Sequence, residues 1–216
     1  MQQMQYYNSS SNPCFHPDNL VTMADGTFKR VDQIRKGDKV KAYTGSYNDY
    51  DKKQDKYYEV NFVIKTKTST HYTRFVDYNG ANITLNHPIL IKCCSPIEIW
   101  QHPNNAVGGR HVYLPTDALY NFVLKSGHIM NINGVNCATL GHGFEDDNYI
   151  KHDYFGTDLI VQDLTNIDTN KTGYIVLESD PMLRDPVTGW INGINLSKVS
   201  KETYETKVEG YNCSIL

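Results

Sequence analysis

Turn signals cut this chain into short runs, and that punctuation limits its fold more than any other feature. Asp25-Gly26, Lys36-Gly37-Asp38, Asn79-Gly80, Ser126-Gly127 and Asn133-Gly134 all fall before residue 143. Asp-Gly and Asn-Gly supply the positive φ that two-residue hairpins need. Between the signals lie strand candidates at residues 20–23, 27–34, 39–43, 59–68, 71–78, 82–85, 89–91, 112–114, 120–124 and 128–132. Residues 39–43 alternate polar and apolar, the period of a strand with one face buried. Residues 71–78, Asn79-Gly80 and residues 82–85 form the clearest hairpin. Residues 45–56 read as a polar surface loop, and a second loop, rich in Pro, Asn and Gly, runs to Gly109. Tyr outnumbers Phe, 16 against 7, and Tyr, Val, Thr and Ile recur in short runs, which favours strands over helices. Residues 14–143 are therefore expected to be all-β. Residues 1–13 read as a flexible polar leader. Residues 144–216 have a different texture: a helix is predicted over residues 154–164 and a turn at Asp185-Pro186-Val187-Thr188-Gly189, giving a small mixed C-terminal extension.

Composition excludes several function classes. A net charge of -3, with both signs scattered, leaves no basic stripe for nucleic acid. No apolar run is long enough to span a bilayer. The first residues lack the basic start and apolar stretch of a secretory signal. Cysteines 14, 93, 94, 137 and 213 are odd in number and irregular in spacing, a poor disulfide framework. A reducing, cytoplasmic setting is expected. Cys213-Ser214-Ile215-Leu216 fits a C-a-a-X box loosely. Membrane contact is expected only if Cys213 is prenylated, and one lipid anchors weakly.

Three places carry reactive side chains. Cys14 precedes the first strand candidate; taken alone, a lone cysteine is more often a small buried residue than a nucleophile. Thr84-Leu85-Asn86-His87-Pro88 ends the best hairpin. A hydroxyl and an imidazole three residues apart at a strand end can turn toward one spot, polarise an amide and protonate its nitrogen. The third is Tyr120-Asn121-Phe122-Val123-Leu124, followed by His128 and Asn133-Gly134. A histidine beside a core strand is as readily a surface residue.

Taken together these blocks resemble the Hint superfamily, which contains inteins and the autoprocessing domains of hedgehog proteins. Cys14-Phe15 with Val21-Thr22-Met23-Ala24-Asp25-Gly26 is similar to its opening block, and Thr84-x-x-His87 to its second. Leu119 through Gly134, with a Tyr-Asn pair, a histidine and an Asn-Gly turn, is similar to the closing block. Thr139-Leu140-Gly141-His142-Gly143, His152-Asp153-Tyr154-Phe155-Gly156-Thr157 and the Arg184-Asp185-Pro186-x-Thr188-Gly189 turn resemble the Vint group, found in proteins with von Willebrand type A domains.

The resemblance implies a horseshoe of many short strands and no cofactor or metal. It implies that Cys14 attacks the carbonyl of Pro13 across the scissile Pro13–Cys14 bond and converts the amide to a thioester. Thr84 would bend and polarise that amide and His87 would protonate its nitrogen. His128 resembles a histidine that assists the last step of splicing. The substrate would be the chain's own N-terminal flank, with a von Willebrand type A domain upstream in the full protein. Asn136-Cys137 imitates an intein end, but Val135 stands before it instead of histidine. Ile64-Lys65-Thr66-Lys67 lacks the acid that hedgehog domains use for sterol transfer. N-terminal cleavage without splicing is the expectation, with release by water or another nucleophile. Pro13 crowds its own carbonyl, so cleavage is expected to be slow or conditional. The rival readings are a catalytically inactive Hint-like binding or spacer module, and a metal site drawn from Cys93, Cys94, His87 and His102.

Overall fold

The computed structural model describes residues 13–44, 56–94, 97–145 and 147–205, without the side chains of residues 93, 94, 204 and 205. The protein is mostly β. Strands β1 (Leu20–Thr22), β2 (Phe28–Arg30), β3 (Lys39–Tyr43) and β4 (Lys56–Lys67) lead into the hairpin β5 (Tyr72–Tyr78) and β6 (Ala81–Ile83). Then follow β7 (Ile89–Cys94), β8 (Ile97–Gln101), β9 (Arg110–Pro115), β10 (Ala118–Leu124), β11 (Ile129–Ile132) and β12 (Val135–Ala138). The extension adds α1 (Asp158–Ile167), β13 (Tyr174–Leu177), β14 (Met182–Arg184), β15 (Ile191–Ile194) and α2 (Glu202–Glu205).

The large sheet runs β10-β4-β3-β11-β12-β7-β8, with β1 on β11, β2 on β1 and β13 on β4. A second sheet runs β6-β5-β9. Both Asn-Gly turns close as anticipated. Asn79 and Asn133 sit at φ 50° and 48°, and Gly80 and Gly134 at 83° and 82°, the left-handed pair that a tight hairpin requires.

Three expectations need correction. Residues 27–34 are not one strand: β2 ends at Arg30 and a 3-10 turn, Val31–Gln33, follows. The Val31 amide donates to the Asn19 carbonyl at 2.8 Å, which turns the chain inward and buries Val31. The loop before Gly109 contains β8, paired with β7 at Leu90↔Trp100 and Ile91↔Ile99. Its alternating Ile97-Glu98-Ile99-Trp100 was masked by the surrounding Pro and Asn. The helix begins at Asp158, not 154, because Thr157 caps it by accepting from the Leu159 amide. Tyr154 and Phe155 form a buried turn before it.

Strands β4 and β10 are buried on both faces, and this divides the core in two. Phe15, Val63, Ile83, Phe122 and Leu124 belong to a first cluster with β1, β3 and β11. Phe62, Ile64 and Val123 belong to a second, covered by Tyr154, Phe155, Ile160, Leu164 and Ile175 from the extension. β13 extends the sheet by pairing parallel to β4, Tyr174↔Val63 through Leu177↔Thr66. Two-sided burial explains why residues 118–124 are nearly continuously apolar and do not alternate. Asn121, in the middle of that run, is the exception. Among the described residues no helix is long and apolar enough to cross a membrane.

Candidate active site

The segment carrying Cys14 is threaded between two strands. The Phe15 amide donates to the Tyr120 carbonyl at 2.8 Å, and the Tyr120 amide donates back at 3.1 Å. On the other side the Thr84 amide donates to the Cys14 carbonyl at 3.0 Å, and the His16 amide to the Asn82 carbonyl at 3.1 Å. Phe15, fully buried, anchors the segment in the first core.

This threading holds the Pro13–Cys14 peptide bond at both ends. Its N–H, on Cys14, donates to Thr84 Oγ1 at 2.8 Å. Its carbonyl oxygen, on Pro13, accepts from Asn121 Nδ2. Asn121 is oriented by its other side-chain atom, since Oδ1 accepts the Phe122 amide proton at 2.7 Å. Thr84 Oγ1 also lies 3.2 Å from the Cys14 carbonyl, so the hydroxyl has both an acceptor for its own proton and a donor to receive.

His87 follows Thr84 in a tight turn, its amide donating to the Thr84 carbonyl at 3.2 Å. Its ring packs 4.3 Å, centroid to centroid, from Phe15, the residue after Cys14. Nε2 donates to the Ala138 carbonyl at 2.8 Å. The proton is therefore on Nε2, and Nδ1 is a bare lone pair, buried and without a donor among the described residues. Burial holds the imidazolium down to a pKa of about 3, so the ring is neutral at ordinary pH. Burial pushes the Cys14 thiol well above its usual value, and it rests protonated.

Thr84 and Asn121 thus hold the Pro13–Cys14 peptide bond directly, and His87 meets the same segment through its ring contact with Phe15. His128 is not in direct contact with them. It is half-buried, with Nδ1 3.4 Å from Thr139 Oγ1, on the residue next to the Ala138 carbonyl that holds His87. Burial lowers its pKa and the nearby Asp158 partly restores it. The sequence marks Asn121 only as part of a strand motif and assigns it no role. A lone carboxamide inside an otherwise apolar strand was the signal that could have marked it.

The chain belongs to the Vint family of Hint domains. The family model, described as a Hint-domain, matches residues 13–193, a span that begins on the residue before Cys14 and takes in most of the extension. None of the curated proteins matches the chain. Among solved structures, it is similar to a bacterial intein-like domain from Clostridium thermocellum, at 14% identity and a TM-score of 0.46, covering 60% of this chain and 99% of that one. It is also similar to a DnaB intein from Synechocystis sp. PCC 6803, at 12% identity and a TM-score of 0.42, covering 59% and 99%.

Other sequence expectations for this Vint chain fall as follows. Asn136-Cys137 lies inside β12, with Asn136 paired to Leu90 and Asn131, and the Asn136 side-chain oxygen accepting from Asn131 at 3.0 Å. An asparagine held in a ladder with its carboxamide engaged is poorly set to cyclise, and Cys137 is a core residue. Among the described residues no three His, Cys, Asp or Glu side chains converge to hold a metal. His87 and His102 each direct Nε2 at a main-chain carbonyl, of Ala138 and Tyr149. The side chains of Cys93 and Cys94 lie outside the described residues, as do residues 1–12 and Cys213 to Leu216.

Proposed function

We propose that this domain cleaves its own chain at Pro13–Cys14 by an N-to-S acyl shift. The observation that carries the reading is the two-ended grip on that bond, with Thr84 on the nitrogen side and Asn121 on the carbonyl side. A peptide bond so held is pre-positioned for attack, and positioning can contribute roughly 7–11 kcal/mol.

The neutral His87 dictates how the proton moves. A protonated imidazole waiting to donate is disfavoured here, since burial opposes it. His87 Nδ1 accepts the thiol proton as Cys14 Sγ attacks the Pro13 carbonyl carbon. Asn121 Nδ2–H donates to the developing oxyanion, an interaction worth about 2.7–4 kcal/mol in other acyl transfers. His87 then passes the same proton to the Cys14 nitrogen. The C–N bond breaks, Thr84 Oγ1 having kept that nitrogen in line. The products are a Pro13–Cys14 thioester and a free amine on Cys14. Water or another nucleophile releases the upstream segment.

A second reading, an inactive Hint-like module, is favoured by Pro13, whose ring stiffens the bond to be broken, and by the buried, protonated thiol. Intact-mass measurement separates the two. The full chain incubated with hydroxylamine is expected to lose its leader, and Cys14→Ala is expected to stay whole. A chain that keeps its full mass under strong nucleophile supports the inactive module.

A further inference from the structure

The ladder that carries Cys14 is half main chain and half side chain. Phe15 lies opposite Ile83 in an antiparallel bridge, so Cys14 faces Thr84 and His16 faces Asn82. In an antiparallel ladder such facing pairs exchange two N–H···O=C bonds each. Here each pair keeps one of its two. The Thr84 amide donates to the Cys14 carbonyl at 3.0 Å, and the His16 amide to the Asn82 carbonyl at 3.1 Å. The other amide of each pair is turned to a side chain. The Cys14 amide donates to Thr84 Oγ1 at 2.8 Å, and the Asn82 amide to Asn19 Oδ1 at 3.0 Å.

Asn19 is buried, 1% exposed, and its carboxamide meets both main-chain groups of Asn82. Oδ1 accepts the Asn82 amide proton, and Nδ2 donates to the Asn82 carbonyl at 2.8 Å. Those two partners fix which end of the carboxamide is nitrogen. The Asn19 main chain is tied as well. Its amide donates to the His16 carbonyl at 3.2 Å, and its carbonyl accepts the Val31 amide proton at 2.8 Å. The His16 carbonyl, which the ladder would otherwise offer to the Asn82 amide, is thereby engaged. Thr84 follows Asn82 by two residues, so a clamp on Asn82 sets where Thr84 stands along residues 14–16. The charged groups nearby are paired elsewhere. Asp18 pairs with Arg30 at 2.6 Å, and Asp77, which faces Asn82 across β5 and β6, pairs with Arg110 at 2.8 Å. His16 Nδ1 accepts the Asp18 amide proton at 3.2 Å.

We infer that Asn19 is a positioning residue of the acyl shift: by holding both main-chain groups of Asn82 it fixes the register of β6 against residues 14–16 and keeps Thr84 Oγ1 on the Cys14 N–H. The inference rests on the acyl shift above and adds the device that sets its nitrogen-side grip. Without the carboxamide, the Asn82 amide competes for the His16 carbonyl and Thr84 is free to shift along the segment. A misplacement of about 1 Å at a reacting group can cost roughly 10²-fold in rate.

The test is Asn19→Asp, which keeps the shape and makes the donor depend on pH. As a carboxylic acid the new side chain donates to the Asn82 carbonyl and accepts from the Asn82 amide, as the carboxamide does. As a carboxylate it is acceptor-only and faces that carbonyl without a proton. Cleavage of the full chain in hydroxylamine is read by intact mass, as a ratio to the unaltered chain at each pH, which cancels the titration of the reagent. Each variant is assayed well below its own melting midpoint, so that a loss of stability alone leaves the ratio untouched. At pH 7 Asn19→Asp is expected to cleave roughly 10²-fold more slowly. Burial raises a carboxyl above its ordinary value of about 3.9, so the ratio should climb toward one as pH falls toward about 5. Asn19→Ala, which leaves room for water on Asn82, should be slow at every pH. In a Thr84→Ala background Asn19→Asp should add little, because the contact it positions is already gone. If Asn19→Asp cleaves at the unaltered rate at pH 7, if its deficit ignores pH, or if it adds in full to Thr84→Ala, the inference is overturned. Should Asn19→Asp not fold at pH 7, Asn19→Ala decides, and an unaltered rate in that variant overturns the inference. If hydroxylamine releases nothing from the unaltered chain, or cuts Cys14→Ala as well, the acyl shift itself falls and the inference with it.

Discussion

His87 and His142 are both buried imidazoles whose pKa is pushed down to about 3, and both carry their proton on Nε2, yet the main chain engages a different nitrogen in each. His87 gives its Nε2 proton to the Ala138 carbonyl and keeps a bare Nδ1. His142 takes an amide proton at Nδ1 and keeps an N–H at Nε2. Burial decides that each ring is neutral; the nearest carbonyl or amide decides whether it can accept a proton or only donate a hydrogen bond. The same residue type, neutral in both places, is thus left with a free acceptor nitrogen in one and an N–H in the other.

The largest effects should come from breaking that assignment at His87. His87→Gln keeps an N–H near the Nε2 position, which donates to the Ala138 carbonyl, but removes the bare Nδ1 lone pair. Cleavage in hydroxylamine is expected to fall by about 10²–10⁴-fold, the usual contribution of a positioned acid–base group. His87→Ala should fall at least as far. If Gln cleaves as well as His, the ring is there for its bond to Ala138 and the base role is lost.

Asn121→Ala comes next. It removes the donor on the Pro13 carbonyl, and a loss of roughly 10²–10³-fold in cleavage is expected from oxyanion donors elsewhere. Its neighbours Phe122 and Val123 hold the two cores, so a thermal melt of the variant checks that the fold survives. A fall in rate with an unchanged melt marks a chemical role; a parallel fall in both marks a structural one.

How much of this was legible beforehand follows from what each feature depends on. The hairpins were readable because Asn79-Gly80 and Asn133-Gly134 are local devices, satisfied by the φ of two residues. Cys14 and Thr84 could be picked out because block order and spacing carry them, and the structure brings the Cys14 amide to Thr84 Oγ1. β8 was lost in a polar stretch, since five residues of strand signal are little against their surroundings. The start of α1 was misplaced because Tyr154 and Phe155 supply an apolar pattern that only the Thr157 cap corrects. Asn121 could not be given a role at all. Its meaning lies in a contact across a long stretch of chain, 108 residues from Asn121 to Pro13. Nothing in the local pattern encodes a tautomer.

The smallest effect puts the comparison to a test that ignores geometry. In the folded chain His87, His142 and His152 stay neutral down to about pH 3. In the unfolded chain an imidazole takes its proton near pH 6.5. Between those two values the unfolded state binds more protons, so stability falls as pH falls. The contribution is fully present above about pH 6.5 and is lost as pH drops toward about 3. Each histidine adds a slope of about 1.4 kcal/mol per pH unit within that window. Urea unfolding at pH 7, 6, 5 and 4 should therefore show a steep decline for the unaltered chain. His142→Phe and His87→Phe should each flatten it by one histidine's share and by the same amount, although the main chain engages Nε2 of one ring and Nδ1 of the other. Proton linkage counts how many protons are bound and is blind to where they point. Unequal slopes would mean that one of the two rings is charged in the folded chain, and the comparison between them would have to be redrawn.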